Sequence, residues 1–483
     1  MGLLGVLLGL GLLVWLSFRG WSVLILAPAA ALVVAAAARE PLLAHWTKTF
    51  MGAAGGFLAQ FFPLFLLGAL FGKLMDDSGS TAAIARAMAE QLGERRAVLA
   101  VVLTGALVTY GGLGVFTAFF VLAPMAQALF READIPSHLM PAAITLGTST
   151  FTLSALPGTP SVRNAVPMPF FGTTPFAAPG LGIIAAVIML AFGLAWLGRA
   201  QSGSRRAGEG YDAVQVAANA AADDPLVREW ATVAAEFDPA EIHRGHQSER
   251  SPGMVVAALP LFVVILVNLA MSLLVLPQLD TSFLAEERWG AMTLSSVSGV
   301  WSVMIALGVG IATIVLLDHR RLPLLRETAD AGANASVLPV VSVASLVGFG
   351  AVVAAVPAFA VVRDWVLSID GGPLVSLAMA SNILAALTGS APGGLSIALE
   401  ALGDTYLRWA LDLGIDPALL HRVAAMGAGT LDTLPHNGAV VALLAVCGST
   451  HRQGYFDIAM VGIAGPALAL ATVIVLGSVL GAF

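Results

Sequence analysis

Charged side chains are scarce in this chain. Asp, Glu, Lys and Arg make up 11% of its 483 residues, whereas they make up about 25% of soluble domains. Hydrophobic residues account for 58%, which exceeds the roughly 45–50% found in soluble domains. The composition therefore indicates an all-α polytopic membrane protein, and nothing in it suggests a nucleic-acid partner.

Cysteine is nearly absent as well. The single cysteine, Cys447, lies in an apolar run and has no second cysteine with which it could form an intrachain disulfide. The sequence contains no Walker A motif, no HExxH motif and no Cys or His cluster with metal-ligand spacing. These absences argue against an ATP-driven pump, and we expect neither a metal nor a cofactor.

Long apolar runs dominate the sequence. Eight of them are long enough, at about 20 residues, to cross a bilayer as continuous helices. They lie at 2–18, 21–38, 51–75, 176–199, 253–277, 293–317, 334–360 and 455–482. Two further apolar blocks, at 97–172 and 373–448, are interrupted by Gly, Pro and polar residues, so we expect irregular structure in both.

Each interrupted block contains a related polar stretch with a Leu-Pro dipeptide. Residues Gly147–Pro160 read GTSTFTLSALPGTP, and residues Gly427–Val441 read GAGTLDTLPHNGAVV. Proline breaks a helix, and polar groups at membrane depth are costly and tend to be functional. The two stretches predict one discontinuous transmembrane helix in each half, at about 137–172 and 417–448.

A glycine-rich centre precedes each broken helix. Tyr110-Gly111-Gly112 in the first block corresponds to Pro392-Gly393-Gly394 in the second. The apolar arms that flank the first centre are too short to span the bilayer comfortably at 1.5 Å per residue. We therefore predict re-entrant helical hairpins over about 97–130 and 373–411, with these glycines at their tips. Such irregular backbone is tolerated where it is buried in protein or lines a cavity.

Each half then contains five membrane crossings, and an odd number inverts the second half. The sequence predicts two inverted repeats, at 1–199 and 253–483, which is an architecture of secondary transporters. A hydrophilic linker at 200–252 joins them. The distribution of basic residues places this linker in the cytoplasm and residues such as Arg422 on the outer side. Chance similarity in a chain with 51 glycines is the alternative explanation.

Helix ends at the hairpins and breaks leave free N–H groups, which favour a carboxylate. An anionic substrate is therefore expected. Hydroxyl groups near the breaks suit a hydroxylated substrate, but Ser and Thr also satisfy helix backbone in membranes. The candidate substrate-binding residues are Tyr110, Gly111, Gly112, Thr148, Ser149, Thr159, Arg163, Asn164, Ser390, Gly393, Gly394, Thr433 and Asn437.

The sequence suggests a specific role for each of three ionisable residues, Arg163, Asp432 and His436. Arg163 could pair with the substrate carboxylate through its planar guanidinium, or it could snorkel to the outer interface. Asp432 and His436 lie four residues apart, and a His beside a carboxylate is a plausible proton carrier. We predict that these two residues couple transport to protons. The alternative for His436 is that it caps a broken helix end.

These residues resemble the gluconate permease (GntP) family, within the wider ion-transporter superfamily. The resemblance covers nearly the whole chain and is most specific in GALFGKLMDDSG from Gly68, AVLAVVLTGALVTYGG from Ala97, LPGTPSVRNAVP ending at Pro167, and Asp432–Gly438. It implies a bacterial inner-membrane symporter that imports organic acids with protons and is typically dimeric. The family's sugar-acid permeases tend to have an acidic residue in the first hairpin and a His in the first break.

This chain has neither feature, and its TYGG and ALPGTP segments are more similar to the 3-hydroxybutyrate permease branch. The resemblance thus implies a small hydroxy-monocarboxylate as substrate. Two alternatives stay open. One is a gluconate, citrate or dicarboxylate carrier, which could be coupled to sodium. The other is an intramembrane enzyme that uses Asp432 and His436, although an enzyme needs no inverted second copy of its site.

Overall fold

The structure is helical throughout the part of the chain that it describes. This computed structural model describes residues 2–17, 19, 21–211, 238–241, 244, 245, 248, 251–435 and 437–483. The predicted all-α class is confirmed, because no strand occurs among these residues. His436 and most of the linker lie outside the described residues.

The helices of the first half include one helix pair and one interrupted helix. In chain order they are α1 (Gly2–Ser17), α2 (Val23–Ala38), α3 (Leu42–Asp77), α4 (Ser80–Leu92), α5 (Ala97–Tyr110), α6 (Val115–Glu132), α7 (Met140–Thr148), α8 (Phe151–Ser154), α9 (Val162–Ala165), α10 (Pro167–Phe171) and α11 (Pro179–Arg206). α7 to α10 are the pieces of the interrupted helix.

The second half has a similar order of helices. They are α12 (Met254–Gln278), α13 (Leu294–Asp318), α14 (Leu325–Ala355), α15 (Phe359–Leu367), α16 (Gly372–Thr388), α17 (Ala391–Asp412), α18 (Pro417–Thr430), α19 (Gly438–Val446) and α20 (His451–Leu480). Here α16 and α17 form the helix pair, and α18 and α19 are the pieces of the interrupted helix.

Seven helices in the described part of the chain are long and apolar enough to cross a membrane. They are α3, α6, α11, α12, α13, α14 and α20, and all except α6 coincide with predicted continuous spans. The other two predicted spans, α1 and α2, are helices of 16 residues each. At 1.5 Å per residue each measures about 24 Å, which is less than the roughly 30 Å hydrocarbon core.

The first helix pair turns at the glycines that the sequence singled out. α5 ends at Tyr110 and α6 begins at Val115. Gly112 has a φ of 106°, a conformation that glycine adopts without the steric cost that a Cβ would bring. Gly114 precedes α6 with extended backbone. The turn therefore lies where the first hairpin tip was predicted.

The second helix pair turns four residues earlier than predicted. α16 ends at Thr388, Gly389 has a φ of 64°, and the Ser390 side chain caps α17 by accepting a hydrogen bond from the Gly393 amide at 3.2 Å. The prediction that Gly393 and Gly394 form the tip is wrong, because both lie inside the first turn of α17. Small residues suit both turns and close helix packing, and here they serve packing.

Gly394 allows the two arms of the second pair to approach closely, and replacing it should destabilise the protein. A Cβ at this position would overlap the backbone N and Cα of Ala385. We expect Gly394→Ala to cost about 1–3 kcal/mol by overpacking, read as a lower thermal unfolding midpoint in detergent. Gly55→Ala is the matched control, since nothing lies within 4 Å of the added methyl. Equal midpoints for the two variants would contradict the close approach.

The non-helical segments of both interrupted helices contain their Leu-Pro dipeptides, although α8 ends at Ser154 and α18 at Thr430, before those dipeptides. Pro157 and Pro435 have no amide hydrogen to continue a helix, and Gly158 follows with a φ of 82°. After each break a new helix begins, and a side chain caps its N-terminus. Ser161 accepts from the Arg163 amide at 3.2 Å, and Asn437 accepts from the Ala439 amide at 2.8 Å.

The helix pairs pack on the interrupted helices in both halves. α5 packs against α7, and α16 packs against α18. The aligned glycines of the two polar stretches lie at these contacts. A Cβ on Gly147 would overlap the carbonyl of Val102, and one on Gly427 would lie 3.2 Å from the carbonyl of Ala378. Small residues at helix contacts let backbones approach in this way.

A buried ion pair within α3 lies where α14 and the linker contact that helix. Lys73 donates to Asp77 Oδ1 at 2.8 Å, and Thr328 donates to Asp77 Oδ2 at 2.6 Å. The backbone amide of Ser248 donates to the carbonyl of Asp77 at 2.8 Å. The described linker residues therefore pack against helices of both halves. The role of the linker as a tether between the halves stays a prediction.

Candidate functional site

An ion pair joins the two helix breaks. Arg163 lies in α9, within the first break, and Asp432 lies between α18 and α19, within the second. Arg163 Nη2 donates to Asp432 Oδ2, and the two side chains are only 3% and 2% exposed. The alternative that Arg163 snorkels to the interface is wrong, because its guanidinium is buried inside the protein. Breaks from opposite halves of the chain thus share one pair of opposite charges.

The other oxygen of Asp432 is held at the start of α17. Asp432 Oδ1 accepts from the Ala391 amide at 2.9 Å and from Asn437 Nδ2 at 2.8 Å. Asn437 Nδ2 also donates to the carbonyl of Gly389 at 2.8 Å. The N-terminus of a helix carries free N–H groups and partial positive charge. This helix end, which the sequence predicts as an anion-binding position, holds an internal carboxylate in the structure.

The Arg163 guanidinium uses only part of its donor capacity. Nη1 lies 3.4 Å from the carbonyl of Ser149, and Nη2 donates to Asp432. Nε is buried and has no hydrogen-bond partner among the described residues. The edge of the guanidinium that carries Nε and Nη2 is one of the two edges that can bind a carboxylate with two parallel hydrogen bonds. Asp432 therefore occupies half of a site that suits a whole carboxylate.

A second buried arginine was missed by the sequence analysis. Arg422 lies in α18 with no exposed surface, and its predicted place on the outer side of the membrane stays a prediction. Its Nε and Nη2 donate to the carbonyl of Ala177 at 3.2 and 2.6 Å, and its Nη1 donates to the carbonyl of Ser154 at 3.0 Å. No carboxylate pairs with Arg422 among the described residues. The acceptors that surround its guanidinium among the described residues are carbonyl and amide oxygens.

Asn164 and His421 extend this cluster. Asn164 Oδ1 lies 3.0 Å from His421 Nε2 and accepts from Arg422 Nη1 at 3.4 Å. Asn164 Nδ2 donates to the carbonyls of Thr159 and Pro175, each at 3.0 Å. All of its polar atoms are therefore used inside the protein. Asn164 was predicted to bind substrate, and in this structure it ties the first break to α18.

The predicted hydroxyl groups differ in what they bond to. Thr148 donates to the carbonyl of Ile144 at 2.8 Å and contacts Ser149 Oγ at 3.1 Å. Thr159 Oγ1 lies 3.5 Å from the amide of Ser161. Thr433 differs, because its buried Oγ1 has no partner among the described residues. The backbone-capping alternative for Ser and Thr thus describes Thr148 in this structure.

The tip of the first helix pair contacts the first break. Tyr110 Oη donates to the carbonyl of Pro157 at 2.6 Å, and a Cβ on Gly112 would lie 3.4 Å from Pro160. A cavity of about 50 Å³ lies here, lined by residues that include Gly112 and Ser161. Ligand pockets usually measure about 300–1,000 Å³. Gly111 packs instead toward Leu261 of α12.

The structure brings together residues of both halves that are far apart in sequence. Around the Arg163–Asp432 pair lie Ser149, Asn437 and the start of α17, while Tyr110 and Gly112 lie at the first break. His436 lies outside the described residues. Among the residues described, no group of three or more His, Cys, Asp or Glu side chains could hold a metal ion.

One signal could have identified Arg422 and His421. The adjacent His-Arg pair follows Pro417 by only a few residues and precedes an apolar stretch rich in small residues. Because Pro is favoured at the start of a helix, Pro417 places both residues in the first two turns of the broken helix. Ionisable residues inside a membrane helix are functional candidates.

The family model and the two relatives that match this chain are all permeases or transporters. A model of the GntP family permeases matches residues 1–173. The uncharacterised transporter YxjC of Bacillus subtilis (strain 168) is 39% identical over 466 residues, which cover 95% of each chain. The high-affinity gluconate transporter of Escherichia coli (strain K12) is 33% identical over 172 residues, which cover 34% of this chain and 37% of that one.

The fold also resembles a solved structure. MtrF of Neisseria gonorrhoeae, described as illuminating a class of antimetabolite efflux pumps, superposes with a TM-score of 0.53 over 91% of this chain and 85% of its own. Sequence identity is 14%, so this likeness concerns the fold alone. The two relatives are transporters and the matching family is one of permeases, which removes the intramembrane-enzyme alternative.

Proposed function

This chain belongs to the GntP family of permeases, and on that premise we propose that it imports a small organic anion by proton symport. The chain is a multi-pass membrane transporter rather than an enzyme. The substrate that we propose is a hydroxy-monocarboxylate such as 3-hydroxybutyrate, and the TYGG and ALPGTP segments of the first half support this choice. The bacterial inner membrane is the proposed location.

An excess of buried positive charge is the observation that carries the proposal. Two guanidinium groups, those of Arg163 and Arg422, lie near the breaks, and Asp432 is the one carboxylate paired with either of them among the described residues. Arginine stays charged in proteins. A region with this excess attracts an anion and repels a cation, because charges interact strongly where water is excluded.

Asp432 and His436 are the proposed proton-coupling residues. Asp432 supports this role because it is a buried carboxylate within reach of the proposed carboxylate site. His436 supports it by sequence, as a side chain that titrates near neutral pH four residues from Asp432. Neutral donors such as Thr433, whose hydroxyl has no partner among the described residues, would hold the substrate hydroxyl group.

Transport would proceed by alternating access. We propose two inverted repeats, 1–199 and 253–483, in which the helix pairs and interrupted helices move together against the continuous spans. The packing of α5 on α7 and of α16 on α18 supports a common moving block. The hairpins would be re-entrant, and a homodimer would provide the fixed scaffold, as the family resemblance implies.

Reconstituted liposomes provide the direct test. Protein is inserted into liposomes that contain a pH dye, and 3-hydroxybutyrate, gluconate and citrate are added separately in sodium-free buffer. We expect 3-hydroxybutyrate to acidify the lumen faster than it does in protein-free liposomes, which correct for passive entry of the neutral acid. Uptake that requires sodium and moves no protons would contradict proton symport.

Gluconate is the second candidate substrate. The identity with a high-affinity gluconate transporter over 172 residues supports a sugar acid. The same experiment separates the two, since acidification by gluconate and not by 3-hydroxybutyrate would favour the sugar acid. A response to citrate alone would favour the di- or tricarboxylate alternative.

A further inference from the structure

Asp432 is paired with the guanidinium group of Arg163, and a substrate carboxylate would need that same group as its partner. We propose that the substrate carboxylate and the Asp432 carboxylate exchange at Arg163, and that Asp432 leaves the ion pair as a neutral acid. This inference rests on the proposed function, since it takes the substrate to be a carboxylate and the coupling ion to be a proton. It assigns the coupling step to one ion pair.

The exchange conserves charge inside the protein. Before it, the Arg163 cation pairs with the Asp432 anion. After it, the same cation pairs with the substrate anion, and one proton from solvent forms an O–H bond on Asp432. The buried charge is equal in both states, so neither state leaves an isolated ion in a low-dielectric environment, which would be costly.

The geometry of Arg163 favours the substrate as the new partner. Nε is buried and has no partner among the described residues, while Nη2 binds Asp432. These two nitrogens lie on one edge of the guanidinium, and a carboxylate that approaches this edge can bind both in parallel. The Asp432 carboxylate uses only Nη2, because its Oδ1 is held by Ala391 and Asn437.

Asp432 also keeps partners after it is protonated. A neutral carboxyl group still has an oxygen acceptor for the Ala391 amide and for Asn437 Nδ2, and it gains one O–H donor. Among the described residues, the charged group paired with Asp432 is Arg163 from α9. α17 contributes its N-terminal backbone amide, and its first acidic residue, Glu400, is nine residues from Ala391.

Coupling follows because both singly loaded states are unfavourable. A proton without substrate leaves the buried Arg163 with no anion. A substrate without a proton places two carboxylates at one guanidinium, where like charges repel. Only the empty state and the doubly loaded state balance the charge of Arg163. One proton should therefore accompany each carboxylate.

The test compares wild-type protein with Asp432→Asn. Binding of labelled 3-hydroxybutyrate, or of gluconate if the liposome experiment selects it, is measured between pH 5.5 and 8.5. Wild-type affinity should fall about tenfold per pH unit above the pH at which Asp432 loses its proton, because binding requires one proton. Asp432→Asn should bind with equal affinity across the range, and more tightly than wild type at pH 8.5.

Two further measurements make the result decisive. Asp364→Asn changes an aspartate whose side chain is 67% exposed and should keep the wild-type slope. In weakly buffered detergent solution, wild-type protein should take up one proton for each anion bound, a measurement that needs no variant. Absence of proton uptake in a wild type that transports the anion would contradict the proposed symport itself. Proton uptake together with a wild-type slope in Asp432→Asn would overturn only the exchange at Arg163.

Discussion

Replacing Arg422 with methionine is expected to abolish transport and to leave little folded protein. The guanidinium donates to the carbonyls of Ala177 and Ser154 and to Asn164 Oδ1, and no part of the residue is exposed. Methionine provides no donor. Each buried acceptor left without a partner costs about 1–3 kcal/mol, so several of them consume most of the 5–15 kcal/mol or so by which proteins are stable.

The measurements are the monodisperse yield in detergent, the thermal unfolding midpoint and the uptake by liposomes. Arg422→Lys keeps the positive charge but loses the planar donor geometry, so we expect an intermediate midpoint and weak uptake. Arg326→Met is the matched control, because its side chain is 94% exposed and surface changes usually cost less than about 0.5 kcal/mol. An Arg422→Met protein with normal midpoint and uptake would remove Arg422 from the site.

The helical class and the positions of most helices follow directly from apolar run length. A span is limited by the thickness of the bilayer, so a window of about 20 apolar residues predicts a helix and nearly its bounds. The approximate positions of the breaks were also predictable, since the polar stretches around Leu156-Pro157 and Leu434-Pro435 fall in the non-helical segments. These features depend only on residues close together in the chain.

The second turn was mislocated and the buried arginine was missed for different reasons. Gly393 and Gly394 match the glycines of the first turn in sequence, but a glycine without side chain serves a turn and a close helix contact equally well. The contact with Ala385 that distinguishes the two comes from another helix. Arg422 was counted only among the outer-side charges, because a buried arginine satisfied by carbonyl groups has no acidic partner in the sequence to reveal it.

The ion pair at the centre of the site could not be predicted as a pair. Arg163 and Asp432 are 269 residues apart, and each alone had a plausible separate role. Local patterns predict that a residue lies at a break, but they contain no information on which break faces which. The tertiary packing of the two interrupted helices determines which breaks face each other, and it brings Arg163 and Asp432 together as one ion pair.

Removing only one charged partner of the Arg163–Asp432 pair should strongly lower the stability of the protein. Arg163→Gln removes the cation and leaves a buried carboxylate, and loss of one partner of a buried pair costs about 3–5 kcal/mol. We expect a clear fall in the thermal unfolding midpoint and background uptake in liposomes. Asp432→Asn leaves the buried guanidinium unpaired and should also lower the midpoint, but added substrate anion should restore part of the loss by binding Arg163.

The double variant, Arg163→Gln with Asp432→Asn, separates the structural role of the pair from its role in transport. With neither charge present, no ion is left unpaired, so the double variant should lose less stability than the sum of the two single variants. Uptake should nevertheless stay at background, because no guanidinium remains for the substrate and no carboxylate for the proton. If the two stability losses simply add, the residues do not act as a pair. If the double variant is stable and still transports with protons, the substrate carboxylate binds elsewhere, and Arg422 becomes the cation to test.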